Sequence, residues 1–235
     1  NLNNNSNFNE LFSKFNHVSE LKKEIPELDV GSMNYLKNFF HIDPKKNEFK
    51  IKNGSFNIYK KLILPKGYSL KMSENTTTIW RMHNGAGIHV EGETEIYGKL
   101  NIEGVDKNSG WIFINANGLE VTLNNILMKR CSNPNQFPLF LTGAITIYNS
   151  KKLSMDNIKI IDNNSEDAIN IIRSNFLVKN TYIGNTKSDA IDVDFGTGSF
   201  DNLQLENIGL AGGGDGIDIS GSKVDANKIT FKNVS

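Results

Sequence analysis

One short template recurs four times and restricts the fold more than any other feature. It reads Gly143-Ala-Ile-Thr-Ile147, Asp167-Ala-Ile-Asn-Ile171, Asp189-Ala-Ile-Asp-Val193 and Asp215-Gly-Ile-Asp-Ile219, with starts 24, 22 and 26 residues apart. A second template, Asn180-Thr-Tyr-Ile-Gly-Asn185, Asn202-Leu-Gln-Leu-Glu-Asn207 and Lys228-Ile-Thr-Phe-Lys-Asn233, follows each of the last three copies. Residues 157–162 and 125–130 carry the same unit in earlier repeats. A third short strand, such as Lys152-Leu-Ser-Met155, sits between the two templates. Repeats of this length mark a solenoid.

Most of these segments alternate apolar and polar residues, the period of a half-buried strand. Three strands in each repeat leave no room for a helical crossover. One turn of a coil per repeat satisfies the geometry, with equivalent strands stacked about 4.8 Å apart and paired in parallel. The expected fold is therefore all-β: a single-stranded right-handed parallel β-helix. Ile145, Ile169, Ile191 and Ile217 should form one inward ladder, and Ile147, Ile171, Val193 and Ile219 the next. Asn157, Asn180 and Asn202, and likewise Asp162, Asn185, Asn207 and Asn233, recur once per turn. Asn tolerates left-handed backbone angles, so these residues are expected at the bends, with their amides bonded from turn to turn.

Residues 47–104 read as the first, less regular turns, residues 106–110 as a turn, and residues 133–138 as a bulging loop. Residues 1–46 differ in kind. An Asn-rich opening suggests a linker, and residues 18–24 and 32–40 have helical apolar spacing, with Ser19 and Ser32 as caps. The expected organisation is a linker and helical cap over 1–46 and a β-helix over 47–235 that continues past the last residue. On this reading the chain is one part of a longer multidomain protein.

Composition excludes some functions. Lys plus Arg and Asp plus Glu each number 26, and that balance argues against a nucleic-acid partner. No apolar run approaches the roughly 20 residues of a membrane span. Cys131 is the only cysteine, so no intrachain disulfide forms, and its plain role is a small buried apolar residue. His17, His41, His83 and His89 lack metal-ligand spacing. Trp80, Trp111, Tyr97 and Tyr148 lie at or near strand positions, where packing is the ordinary role of an aromatic.

The chemistry-bearing cluster is acidic. With Ile and Val facing inward, Asp192, Asp194 and Asp218 face outward, and Asp189 and Asp215 begin the same strands. These five carboxylates are the expected ligand-binding group, with Arg173 beside them and outward Tyr148 as a stacking surface for a sugar. Asp192, Asp194 and Asp218 are also the candidate ligands for Ca²⁺ and the candidate catalytic acids of glycosidic cleavage. No cofactor is required by any motif. A solubility patch is the structural alternative.

The run Leu141-Thr-Gly-Ala-Ile-Thr-Ile-Tyr-Asn-Ser150, with Ser165-Glu-Asp-Ala-Ile-Asn170, Ser188-Asp-Ala-Ile-Asp192 and Gly214-Asp-Gly-Ile-Asp-Ile-Ser220, resembles the β-helix region of bacterial spore-coat protein H kinase-like proteins. That resemblance implies an extracellular or cell-surface β-helix. Asn185-Thr-Lys-Ser-Asp-Ala-Ile-Asp192 is similar to the strand motif of β-helices of the pectate lyase and polygalacturonase type, with Lys187 where an Asp is expected. The expected function is a surface-associated binding or scaffold module with a polysaccharide or surface glycan as ligand. A polysaccharide lyase or glycoside hydrolase is the alternative, and a purely structural element the third reading.

Overall fold

The computed structural model describes residues 30–136 and 139–235. Leu36–Ser235 forms one compact unit. The expected linker, the helix over 18–24 and its cap Ser19 lie outside the described residues. One helix is present among the described residues, Val30–Leu36. It is shorter than the periodicity of 32–40 predicts, and Ser32 lies inside it rather than at its start. The chain leaves the helix at Leu36, and Phe40–Asp43 is instead a strand, paired antiparallel with Glu48–Ile51. The apolar spacing of 32–40 reports burial of Leu36, Phe39 and Phe40, all in the core, rather than one continuous helix.

From Glu48 onward the chain is a β-solenoid of about eight turns. Its front sheet is formed by one strand from each of seven turns: Leu62–Ile63, Gly87–Val90, Trp111–Asn115, Gly143–Tyr148, Asp167–Ile172, Asp189–Asp194 and Ile217–Ser220. All neighbours in it are parallel. The register runs Ile112, Ile145, Ile169, Ile191, Ile217 along one inward ladder. Ile114, Ile147, Ile171, Val193 and Ile219 form the next. Ile145, Ile169 and Ile191 are fully buried. Each such side chain gains roughly 1.5–3 kcal/mol on leaving water.

The other two strand segments of each late turn are fused into one long strand. Lys152–Asn163, Asn175–Thr186, Thr197–Ile208 and Lys223–Val234 each have 12 residues. They bend where a residue takes left-handed angles: Asn157 (φ 55°), Asn180 (50°), Asn202 (59°) and Lys228 (54°). A second corner holds Asp162, Asn185, Asn207 and Asn233, also at positive φ. The bend residues are linked as expected. Asn157 donates to Asn125 at 2.7 Å, Asn202 to Asn180 at 2.8 Å, Asn207 to Asn185 at 2.9 Å and Asn233 to Asn207 at 2.9 Å. Asn180 breaks the series, donating to the carboxylate of Asp156 instead.

Two irregular segments match their sequence signals. Residues 105–110 form a loop, and the bulge after Cys131 carries a small antiparallel pair, Asn135–Gln136 with Leu139–Phe140.

Truncating the inward ladder in the middle of the stack leaves a cavity. Ile191→Ala should cost roughly 2–5 kcal/mol in urea unfolding. Asn207→Ala removes both links of an amide ladder and places a Cβ residue without Asn's local bonding at φ 55°. It should cost roughly 1–3 kcal/mol. Wild-type midpoints for both variants would contradict the stacked register.

Candidate functional site

The register decides which expected site residues meet. One outward column of the front sheet reads Phe113, Thr146, Asn170, Asp192, Asp218. The neighbouring column reads Asn115, Tyr148, Ile172, Asp194, Ser220. Asp192 and Asp218 are therefore direct neighbours, one strand spacing or about 4.8 Å apart at the backbone. Asp194 stands in the next column, in line with Tyr148 two turns earlier. Asp189 pairs with Asp167, and the backbone N–H of Asp215 donates to Asp189 Oδ1 at 2.8 Å.

Two residues outside the expected set occupy the centre of this group. Asp167 and Asn170 are both buried, and Asn170 is only 2% exposed. Asn170 Nδ2 lies 2.8 Å from Asp192 Oδ2, 3.1 Å from Asp167 Oδ2 and 3.1 Å from Thr142 Oγ1, three acceptors around its two N–H groups. The aligned templates already place Asn170 at the position taken by Asp192 and Asp218 in the next two turns. An amide carries no charge, so the sequence alone does not single it out as part of the acidic group.

The electrostatics are those of uncompensated acid. Among the described residues, none of Asp167, Asp189, Asp192, Asp194, Asp215 or Asp218 makes an ion pair. Burial, reinforced by the charges of Asp167, Asp194, Asp218 and Asp189, pushes the Asp192 carboxyl up to about 7. Burial also raises Asp167 to about 6; Asp189 and Glu166 add to this, while hydrogen bonds from Thr142 and Asn170 oppose it. Like charges this close, at an effective dielectric of about 20, repel by roughly 3 kcal/mol before solvent screening.

Arg173 does not neutralise the patch. It sits at the corner that follows the front sheet, at φ 48°, with its guanidinium 6.0 Å from the ring centroid of Phe195. Phe195 is the next residue in that corner series, at φ 52°, and is 65% exposed. Left-handed angles are costly for a bulky side chain, and strain of this kind concentrates at functional positions. Gly221 follows in the series, and a Cβ there would lie 2.8 Å from the Phe195 ring. An exposed aromatic thus adjoins Asp194, with half-buried Tyr148 on the same side of the sheet. No motif marks Phe195; only its corner position after Asp194 does.

Other expectations resolve simply. Trp80 and Trp111 are fully buried packing residues. Cys131 is buried, and its thiol is pushed up to about 12 by that burial. His89 is half-buried against Phe113, with ring centroids 4.7 Å apart, and burial lowers its basicity. A cavity of about 430 Å³ lies among Lys61, Asn84, Gly85, Asp106, Lys107, Asn108 and Pro134 and includes none of the expected site residues. Among the described residues, no three His, Cys, Asp or Glu side chains are grouped so as to hold a metal ion. No helix among them is long and apolar enough to cross a membrane.

Comparison of the chain with known protein families, with curated proteins and with solved structures found no match. The two family resemblances rest on the motif residues alone.

The raised carboxyls of Asp192 and Asp167 make stability depend on pH. An unfolded Asp titrates near 3.9. The native state therefore holds these protons more tightly than the unfolded state does. Their contribution to stability is complete below about pH 4 and is lost as pH rises through about 6 to 7. At fixed ionic strength the melting temperature should fall between about pH 5 and pH 8, and Asp192→Asn should remove much of that fall. A parent melting temperature that rises or stays level across this range would contradict the assignment.

Proposed function

We propose that this β-solenoid is a glycan-binding module whose binding surface is the front sheet around Asp192, Asp194, Asp218, Tyr148 and Phe195. The observation that carries this reading is the juxtaposition of outward carboxylates with an exposed, strained aromatic on one rigid face. Carboxylate oxygens accept hydrogen bonds from sugar hydroxyls, and an aromatic ring packs against the apolar face of a pyranose. Parallel strands fix these groups at regular spacing, which suits a repeating polymer. Arg173 packs its guanidinium on the Phe195 ring and makes no ion pair among the described residues, which suits it to add a donor at the same edge. We infer further that the module works at a cell surface as one part of a multidomain protein, a reading supported by the motif likeness to spore-coat protein H kinase-like proteins.

A second reading, cleavage of a glycan by paired carboxylates, is favoured by the raised Asp192 carboxyl, which suits a general acid. It is weakened by the burial of Asp192 Oδ1, which no substrate atom reaches without a side-chain movement.

Retention of the purified chain on a panel of neutral, acidic and amino polysaccharides separates these readings. Binding without new reducing ends or unsaturated products is expected. Phe195→Ala and Asp192→Asn/Asp218→Asn should each weaken it about tenfold or more, equivalent to about 1.4 kcal/mol. Turnover that is lost in Asp192→Asn would establish the enzyme instead. Retention on no glycan would leave a structural element.

A further inference from the structure

Two buried oxygens that have no hydrogen-bond partner belong to touching side chains: Asn170 Oδ1 and Asp192 Oδ1. Asn170 and Asp192 are register partners on adjacent front strands, and Asn170 Nδ2 already donates to Asp192 Oδ2 at 2.8 Å. With Asp192 ionised, the pair has one hydrogen bond and two acceptor oxygens shut away from water. Each unpaired buried acceptor carries a desolvation penalty, greater when the group is charged. An ionised carboxylate only accepts, and an amide oxygen only accepts, so neither can satisfy the other. One proton on Asp192 removes both defects. The carboxyl O–H donates to the amide oxygen while the amide N–H donates to the second carboxyl oxygen.

We propose that Asn170 and Asp192 form a doubly hydrogen-bonded amide–acid pair closed by a proton on Asp192, and that loss of this proton opens the pair and switches the charge of the front face. The groups facing Asp192 all favour the closed form at neutral pH. Asp189 and Asp194 lie on its own strand, Asp167 on the preceding one and Asp218 on the following one. Each disfavours a further negative charge, as does burial, and among the described residues Asp192 makes no ion pair that would oppose them. When the proton leaves, two acceptor oxygens face one another. The carboxylate is then driven toward solvent, and the patch gains one charge and one mobile side chain. A sheet face with fixed backbone thus changes its surface chemistry over a narrow pH range. The pair stands on its own geometry and is independent of whether this face binds a glycan.

The test is a nuclear magnetic resonance titration of the full chain, following Asp192 Cγ and the Asn170 side-chain amide together. Both signals should move with one midpoint near 7. Asp192→Asn preserves a doubly bonded amide–amide pair, so in that variant the Asn170 signal should stay constant through neutrality, with the backbone spectrum otherwise unchanged. An Asp192 carboxyl that titrates near 4 would overturn the proposal. So would one that titrates near 7 while the Asn170 amide stays still, because repulsion alone would then account for the shift.

Discussion

Everything in this molecule depends on the in-register parallel pairing of successive turns. Each strand of the front sheet hydrogen-bonds to its counterpart one turn away, and no strand can slip without turning its inward residues outward. The Ile ladder enforces that register from inside. Ile145, Ile169 and Ile191 are all fully buried, so a shift by one residue would expose an entire column at a cost of several kcal/mol. The corners enforce it from outside, where left-handed Asn residues end one flat segment and start the next.

Stacking also converts every repeated residue into a column, and the chemistry of that residue decides whether the column helps or harms. An amide is both donor and acceptor, so a column of Asn satisfies itself, as the links among Asn185, Asn207 and Asn233 show. A carboxylate only accepts, so a column of Asp is a column of repulsion. The front sheet contains both solutions side by side. At the equivalent position it reads Thr146, Asn170, Asp192, Asp218, passing from self-satisfying to self-repelling over three turns. The amide of Asn170 marks the boundary and serves two carboxyls at once. Solubility alone would not require carboxylates to be half-buried at that boundary, where their charge is hardest to sustain.

Much of this was legible from the sequence because a solenoid writes its third dimension into its repeat. The spacing of the four templates predicts the inward ladders and the outward column of Asp192 and Asp218, and the once-per-turn recurrence of Asn in the second template predicts the bends at Asn157, Asn180 and Asn202. The helical reading of residues 32–40 failed because apolar spacing in so short a segment does not distinguish a helix from a helix turn followed by a strand. The fusion of two strands through a single left-handed residue was also hidden, since Asn there resembles a turn that ends a strand. At the site, charge drew attention to the five carboxylates, whereas burial placed Asp167 and Asn170 among them. Thr142, which contacts Asn170 at the edge of that group, is replaced by Glu166, Ser188 and Gly214 at the same place in the later turns, so the repeat does not reveal the contact. Phe195 was silent for a related reason: its exposure and its backbone angles belong to the corner geometry and not to the residue type.

The central claim, that equivalent positions stack turn upon turn, is tested most directly by distances between spin labels on one outward column. Glu120, Lys152, Asn175, Thr197 and Lys223 occupy successive equivalent positions at the start of the long strands. Electron–electron double resonance between labels at Glu120 and Lys223 should give a narrow distribution near 19 Å, four strand spacings. Moving the first label to Lys152 should shorten it by about one spacing, 4.8 Å. A broad distribution, or a distance that does not shorten by that step, would contradict the stack and every inference drawn from its register.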